Sequence, residues 1–210
     1  MGIRDFMQLM SQSAAGCVFC GREIPTDHVY CAGCGGELDD CRPPDVRAGG
    51  VLHVYKYQGP VRELLRRYKY DDRPRSAFFI AQEMYEFMEK EGLEADIVTF
   101  VPVHKNRKKD RGYDQSEMLV ANLATLCGAR FAALLERTRD TAPQYRLSAD
   151  ARKKNVGGAF SIVSGSDYAG ARILLIDDIY TTGSTMSECA KALAGKAEVI
   201  PFVFAKEYME

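Results

Sequence analysis

One stretch limits what this chain can become more than any other. Residues 173–185 read Ile173-Leu174-Leu175-Ile176-Asp177-Asp178-Ile179-Tyr180-Thr181-Thr182-Gly183-Ser184-Thr185. Four branched aliphatics in a row fit a strand buried on both faces, as in a parallel sheet. They run into two adjacent carboxylates and a short hydroxyl-rich turn with one glycine, and helical spacing follows from Met186 to Leu193. A strand, a polar turn and a helix start form the place where an open α/β sheet holds its ligand. The residue types suit a phosphorylated sugar. A helix N-terminus offers unpaired backbone N–H groups and the positive end of the dipole, so it can hold a phosphate. Thr181, Thr182, Ser184 and Thr185 add hydroxyl donors, Gly183 lets the backbone approach closely, and Asp177 and Asp178 are acceptors for a ribose diol. Helix capping accounts for one or two of these hydroxyls. It does not account for an acidic pair and four hydroxyls in nine residues.

The stretch resembles the signature loop of the type I phosphoribosyltransferases, which grip 5-phosphoribosyl-1-pyrophosphate (PRPP). The resemblance implies that Asp177 and Asp178 are the catalytic pair that holds the ribose hydroxyls, and that Thr181, Thr182, Gly183, Ser184 and Thr185 hold the 5′-phosphate. Tyr180 departs from the pattern, in which an aliphatic residue is more usual.

A second signal lies near the N-terminus. Cys17 and Cys20 form one CxxC knuckle, and Cys31 and Cys34 form another ten residues later. Two knuckles so close together read as a four-thiolate zinc site. Four thiolates leave no open coordination position, so the role is structural, and the metal supplies folding energy to a piece too small for its own core. Between the knuckles there is room for a short hairpin. Cys41 is left over: an alternative ligand, the remnant of a second knuckle or a free thiol, and we read it as a bystander. Cys127 and Cys189 lie in expected helices and suit small core hydrophobes.

Bulk properties set the outer bounds. The 210 residues allow one or two domains, with 46% hydrophobic and 27% charged residues, ordinary for a globular protein. A net charge of −1 does not advertise a nucleic-acid partner for the molecule as a whole. No apolar run approaches the ~18–20 residues of a membrane span. Polar residues from Asp5 to Ser13 break any signal-peptide core, so a cytoplasmic location is the expectation. Seven cysteines fit that compartment as metal ligands or thiols rather than disulfides.

Arg42-Pro43-Pro44-Asp45 marks a boundary, placing a zinc-ribbon module at 1–48 and a phosphoribosyltransferase-like domain at 49–210. Within the latter, 51–95 is the candidate hood, the variable part that covers the phosphoribosyl site in the resembled family, and 96–210 the core. The spacing predicts a strand over Val51–Tyr57, then a helix with Val61, Leu64, Leu65 and Tyr68 on one face and Arg62, Arg66, Arg67 and Lys69 on the other. That basic face could meet pyrophosphate, nucleic acid or only water. Lys69, near the helix end and the Asp71-Asp72 loop, is the best functional candidate of the four. A second helix is expected over Ser76–Lys90.

The core begins with a buried strand at Asp96–Val101. In the phosphoribosyltransferase pattern the following loop grips pyrophosphate through backbone amides, which implies that role for Val103, His104, Lys105 and Asn106. Arg111 belongs to the basic cluster that follows, which could neutralise a departing pyrophosphate or track a nucleic-acid backbone. A helix is expected over Ser116–Cys127, a core strand over Arg130–Glu136, and a long polar loop over Arg137–Gly158. In the resembled family this loop closes over the substrate and excludes water from an oxocarbenium-like carbon. Arg146, Arg152 and Lys153 are its candidate closing residues. Strands at Ala159–Val163, Ile173–Ile176 and Ala197–Ala205 complete a mostly parallel sheet flanked by helices.

Taken with the cysteine module, the segments Arg111-Gly112-Tyr113-Asp114-Gln115 and Arg152-Lys153-Lys154-Asn155-Val156-Gly157-Gly158-Ala159-Phe160 resemble the ComF family of competence proteins, which pairs a zinc ribbon with a phosphoribosyltransferase domain. That likeness spans nearly the whole chain from Cys17. It implies a role in DNA uptake during natural transformation, PRPP and Mg²⁺ as ligands, and other competence-machinery proteins as partners; the family often carries a second knuckle pair, but only Cys41 is left here, so one zinc site is the expectation. Two other readings stand beside a PRPP-dependent transferase. One is a protein without turnover that binds single-stranded DNA through its basic faces, with Tyr55, Tyr57, Tyr68 and Tyr70 either stacking on bases or filling the core. The other is a nucleobase-salvage transferase carrying a zinc ribbon.

Overall fold

A computed structural model describes residues 16–25, 28–70, 74–103, 115–139 and 157–208. The elements in chain order are α1 (Ala32–Leu38), β1 (Leu52–Lys56), α2 (Gly59–Tyr70), α3 (Pro74–Glu91), β2 (Ile97–Phe100), α4 (Gln115–Cys127), β3 (Arg130–Phe131), β4 (Leu135–Arg137), β5 (Phe160–Ile162), β6 (Arg172–Tyr180), α5 (Ser184–Leu193) and β7 (Glu198–Lys206). Short 3₁₀ turns lie at Asp39–Cys41 and Ala48–Gly50. No helix among the described residues is long and apolar enough to cross a membrane.

Five strands form one sheet in the order β1-β7-β6-β2-β3, every pair parallel. The aliphatic run of β6 explains the centre of this sheet. Ile173, Leu174, Leu175 and Ile176 are all fully buried. Strand alternation sends Leu174 and Ile176 to one face and Ile173 and Leu175 to the other. The first face packs against α2, α3 and α4 through Leu64, Leu65, Ile80, Met84 and Leu123. The second packs against α5 and the β4–β5 pair through Met186, Cys189, Leu193, Leu135 and Phe160.

Connectivity fixes where a ligand can sit. From β2 the chain runs through α4 to β3 on one side; from β6 it runs through α5 to β7 on the other. The two crossovers leave in opposite directions and cover opposite faces. The carboxyl ends of β2 and β6 therefore flank the switch point, where open α/β sheets form their crevice.

Three expectations need correction. Arg130–Glu136 is not one core strand. β3 pairs with β2 for two residues only, and the Leu134 N–H then turns back to Ala132 O (3.0 Å) and towards the Thr99 hydroxyl (3.3 Å). The chain leaves the sheet there, and β4 pairs antiparallel with β5. Second, β6 does not stop before the acidic pair but continues through Asp177 and Asp178 to Tyr180. Third, no strand forms between the cysteine knuckles among the described residues. One backbone bond, Val18 N–H to Val29 O at 3.0 Å, links them, and helix α1 begins directly after Cys31.

The cysteine segment shares the larger hydrophobic cluster. Cys17, Val18, Phe19, Leu38 and Cys41 are buried in it with α2 and α3, and the Phe19 ring meets Phe79 edge-on at 5.3 Å.

Candidate functional site

The acidic pair follows directly on the fully buried run Ile173–Ile176 of β6, which anchors its placement. Adjacent strand residues point to opposite faces. Asp177 pairs across the sheet with Val203 and lies on the α5 side, where its charge reaches the Cys189 thiol. Asp178 lies on the α2 side, where its Oδ2 is 2.8 Å from the Lys69 ammonium. The Asp178 N–H donates to Asp177 Oδ1 at 2.9 Å and fixes that side chain. Desolvation pushes the Asp177 carboxyl up to about 8; the Asp178 charge adds to the rise and Lys69 opposes it. Burial works against the charge on Lys69, yet the Asp178 and Asp177 carboxylates hold its ammonium above the usual range. Lys69 reaches this spot because Leu64, Leu65 and Tyr68, fully buried, seat α2 on the sheet.

Past β6 the chain makes the expected turn. Gly183 is the N-cap of α5 with φ 71° and ψ −1°, a left-handed conformation. A Cβ there would lie 2.1 Å from Tyr180 Oη, so both the backbone and the neighbour demand glycine. Ser184 and Thr185 fall in the first turn of α5, which starts two residues before the predicted Met186, and Ser187 N–H to Gly183 O (2.8 Å) opens the helical ladder. The hydroxyls of Thr182 and Ser184 are 3.2 Å apart. Thr181, Thr182, Ser184 and Thr185 are all half-buried. This arrangement places helix-start N–H groups and hydroxyl donors beside the carboxylate pair, a combination able to hold an anion and a diol together.

At the end of β2, Val101 N–H donates to Ile176 O (3.0 Å), tying the start of the predicted pyrophosphate loop to β6. Val103 is half-buried at that end. His104, Lys105, Asn106 and Arg111 lie outside the described residues, as do Arg146, Arg152 and Lys153. The neck of the long polar loop is described. Thr138 N–H donates to Ala159 O (2.9 Å), Arg139 to Gly157 O (2.7 Å), and Gly158 N–H to the Glu188 carboxylate on α5 (3.2 Å). Arg137, in β4, is a buried cation over the Phe160 ring at 5.3 Å, and its charge reaches the same Cys189 thiol as Asp177. Sequence reasoning did not single it out, since nothing in a run of arginines marks the one that a strand turns inward. Of the four tyrosines considered for base stacking, Tyr55 and Tyr68 are fully buried and belong to the core. Tyr57 is half-buried, with the Arg62 guanidinium 6.0 Å from its ring.

The cysteines form the second candidate site. The sulfurs of Cys17, Cys20, Cys31 and Cys34 all lie within 4.8 Å of one another, with Cys20 and Cys31 at 3.9 Å. A tetrahedral ion with Zn–S bonds of ~2.3 Å needs sulfurs about 3.8 Å apart, so the donor set fits zinc. The first knuckle turns through Gly21 at φ 75°, and the Arg67 guanidinium of α2 covers it so closely that a Cβ there would lie 2.2 Å from the arginine. In the second, Gly35 sits under the Tyr30 ring. The Cys34 backbone N–H draws the Cys31 thiol down to about 7, whereas burial and the neighbouring sulfurs push Cys34 up. A thiol raised by burial and crowding sulfurs, as Cys34 is, is one that a bound cation would relieve. Cys41 stands apart, buried, with its Sγ 3.5 Å from Glu37 O and 3.6 Å from Gln58 O.

Comparison with known proteins bears on both sites. No protein-family model matches the chain. It is 30% identical over 193 residues to the DNA utilization protein YhgH of Escherichia coli K12, covering 84% of this chain and 83% of the relative. It is 27% identical over 195 residues to competence protein F of Haemophilus influenzae, with the same coverage. To competence protein ComFC of Streptococcus pneumoniae it is 31% identical over 176 residues, or 79% of this chain and 73% of that one. Among solved structures, adenine phosphoribosyltransferase from Saccharomyces cerevisiae superposes with a TM-score of 0.42 at 14% identity, over 85% of this chain and 90% of that one. That superposition is too loose to carry an argument about the site. With similarity to those relatives over about four fifths of its length, a parallel sheet ending in the acidic pair and a four-cysteine cluster at its N-terminal side, the chain belongs to the ComF family of competence proteins.

Proposed function

We propose that the chain binds PRPP across the carboxyl ends of β2 and β6 as a phosphoribosyltransferase-type protein acting in DNA uptake. One observation carries this reading: Asp177 and Asp178 stand at the switch point directly before the Gly183-capped N-terminus of α5. The carboxylates accept the ribose hydroxyls. The hydroxyls of Thr181, Thr182, Ser184 and Thr185 and the first N–H groups of α5 hold the 5′-phosphate. The segment after Val103, with Lys105 and Arg111, faces the pyrophosphate and stabilises its charge on departure. Closure of the 140–156 segment, carrying Arg146, Arg152 and Lys153, keeps water from the reacting carbon. Asp177 and Asp178 offer the hard oxygen donors that suit Mg²⁺, which would neutralise phosphate charge when bound with PRPP. No residue of the described site presents itself as a general base, so catalysis rests on positioning and electrostatics. The four cysteines hold a structural Zn²⁺. Calorimetric titration with PRPP and Mg²⁺ tests the site: Asp177→Ala with Asp178→Ala abolishes the heat of binding, and an unchanged titration refutes it.

A second reading, single-stranded DNA binding, is favoured by the names of the relatives and by exposed Arg62 and Arg66 on α2. It is weakened by the bidentate pairing of Arg66 with Glu63 at 2.8 and 3.0 Å. Binding to an oligonucleotide that does not weaken with added salt would contradict it.

A further inference from the structure

The proposed donor is a polyanion, and the residues set to receive its ribose are a pair of carboxylates. A carboxylate pair at the landing point repels such a ligand unless its charge is offset. Among the described residues the cation paired with Asp178 is the Lys69 ammonium, 2.8 Å from its Oδ2. Its helix cannot drift, because Leu64, Leu65 and Tyr68 are fully buried. Its side chain is not sealed in, since Lys69 retains 31% exposure against 13% for Asp178. The fold also says which phosphate it can reach. The turn read as the 5′-phosphate cradle opens α5, which covers one face of the sheet, whereas Lys69 descends from α2 on the other face.

We propose that Lys69 is a donor-binding residue that works by exchange: it neutralises Asp178 in the free protein and turns to the pyrophosphate of the donor once the ribose hydroxyls engage Asp178. The inference rests on the PRPP reading and adds to it a residue from the hood that distinguishes PRPP from ribose 5-phosphate. A lysine suits the task, because a compact ammonium on a flexible four-carbon stem can swap partners without moving the backbone.

The test is calorimetric titration of wild type, Lys69→Met and Lys69→Arg with PRPP and, separately, with ribose 5-phosphate, both with Mg²⁺, alongside their melting temperatures. Lys69→Met weakens PRPP binding by about tenfold or more, the loss of one charge-assisted hydrogen bond, and leaves ribose 5-phosphate within about threefold. Lys69→Arg keeps the charge and recovers most of the PRPP affinity. The proposal is overturned if Lys69→Met binds PRPP as well as wild type or more tightly, for then the lysine only masks Asp178. It is equally overturned if both ligands weaken together with a fall in melting temperature in both variants, which marks a structural strut. Wild-type protein that binds no PRPP removes the donor reading itself. PRPP binding lost in the Asp177/Asp178 double variant but unchanged in Lys69→Met removes only the exchange.

Discussion

The cysteine cluster and the carboxylate site gather polar groups in opposite ways. The four thiols come from one short stretch, Cys17 to Cys34, and two glycine-containing turns bring them within 4.8 Å of one another. The carboxylate site draws on the end of β6, the start of α5, the end of β2 and, from far up the chain, Lys69 on α2. The first is held by its own turns, and its donors suit an ion whose metal–sulfur bonds would concentrate its energy. The second is held by a sheet whose central strand buries Ile173, Leu174, Leu175 and Ile176 completely, and its Asp178 charge is offset because the fold brings α2 over β6. A local site is thus exposed to loss of one atom, whereas a distributed site is exposed to changes in packing and charge. The contact between Arg67 and Gly21, two residues from Lys69, joins the two regions through one helix.

The largest expected effect lies at the local site. Cys20→Ser, or strong chelation, removes the metal and unseats Phe19 from Phe79, so the loss spreads into the shared core. Even a cost of only about 3 kcal/mol lowers the melting temperature by roughly 6–12 °C in a chain of this size. Metal analysis with differential scanning calorimetry measures it. Folded, metal-free protein with an unchanged melting curve would erase the contrast drawn above.

Gly183→Ala comes next. Its left-handed φ costs about 1–2 kcal/mol for a residue with a side chain, and the approach to Tyr180 Oη adds to that. Combining it with Tyr180→Leu recovers the steric share and leaves the backbone share, a separation that urea titration of the three variants reads. If the double variant is no more stable than Gly183→Ala alone, Tyr180 does not confine the turn.

The smallest effect is electrostatic. Asp177 titrates near 8 when folded and in the ordinary carboxylate range when unfolded, so between about pH 4 and 8 the native state binds the extra proton. Its contribution to stability is therefore present at low pH and lost as pH rises through about 8. Asp177→Asn flattens that part of the stability–pH curve. An equally steep curve in the variant assigns the slope to another group.

Much of this was legible beforehand. The aliphatic run, the acidic pair and the Thr/Ser/Gly turn lie together in sequence, and the strand–turn–helix they predict is what forms. The cysteine spacing likewise sufficed to predict a four-sulfur cluster. What failed depended on distant partners. Nothing in Phe131-Ala132-Ala133-Leu134-Leu135 reveals that β3 pairs for two residues before the chain turns away to meet β5, because that break is set by hydrogen bonds to Thr99 and by a partner strand beyond the polar loop. The strand extent of β6 past Ile176 depended on β7, whose backbone pairs through to Tyr180 and Lys206. Tyr55 and Tyr68 could not be sorted into stacking or packing residues until their burial was known.

The sequence by itself determined the ligand types: thiolates at metal spacing, acceptors for a diol, and hydroxyls with a glycine for an anion. These are properties of neighbouring residues, and short-range spacing carries them. Only the tertiary structure decided that the two carboxylates face opposite sides of the sheet, that Asp178 pairs with a lysine of α2, and that Arg137 is turned inward near Asp177's side. Those outcomes follow from which helix covers which face. That is settled by crossover direction and burial over the whole chain, not by any local run of residues.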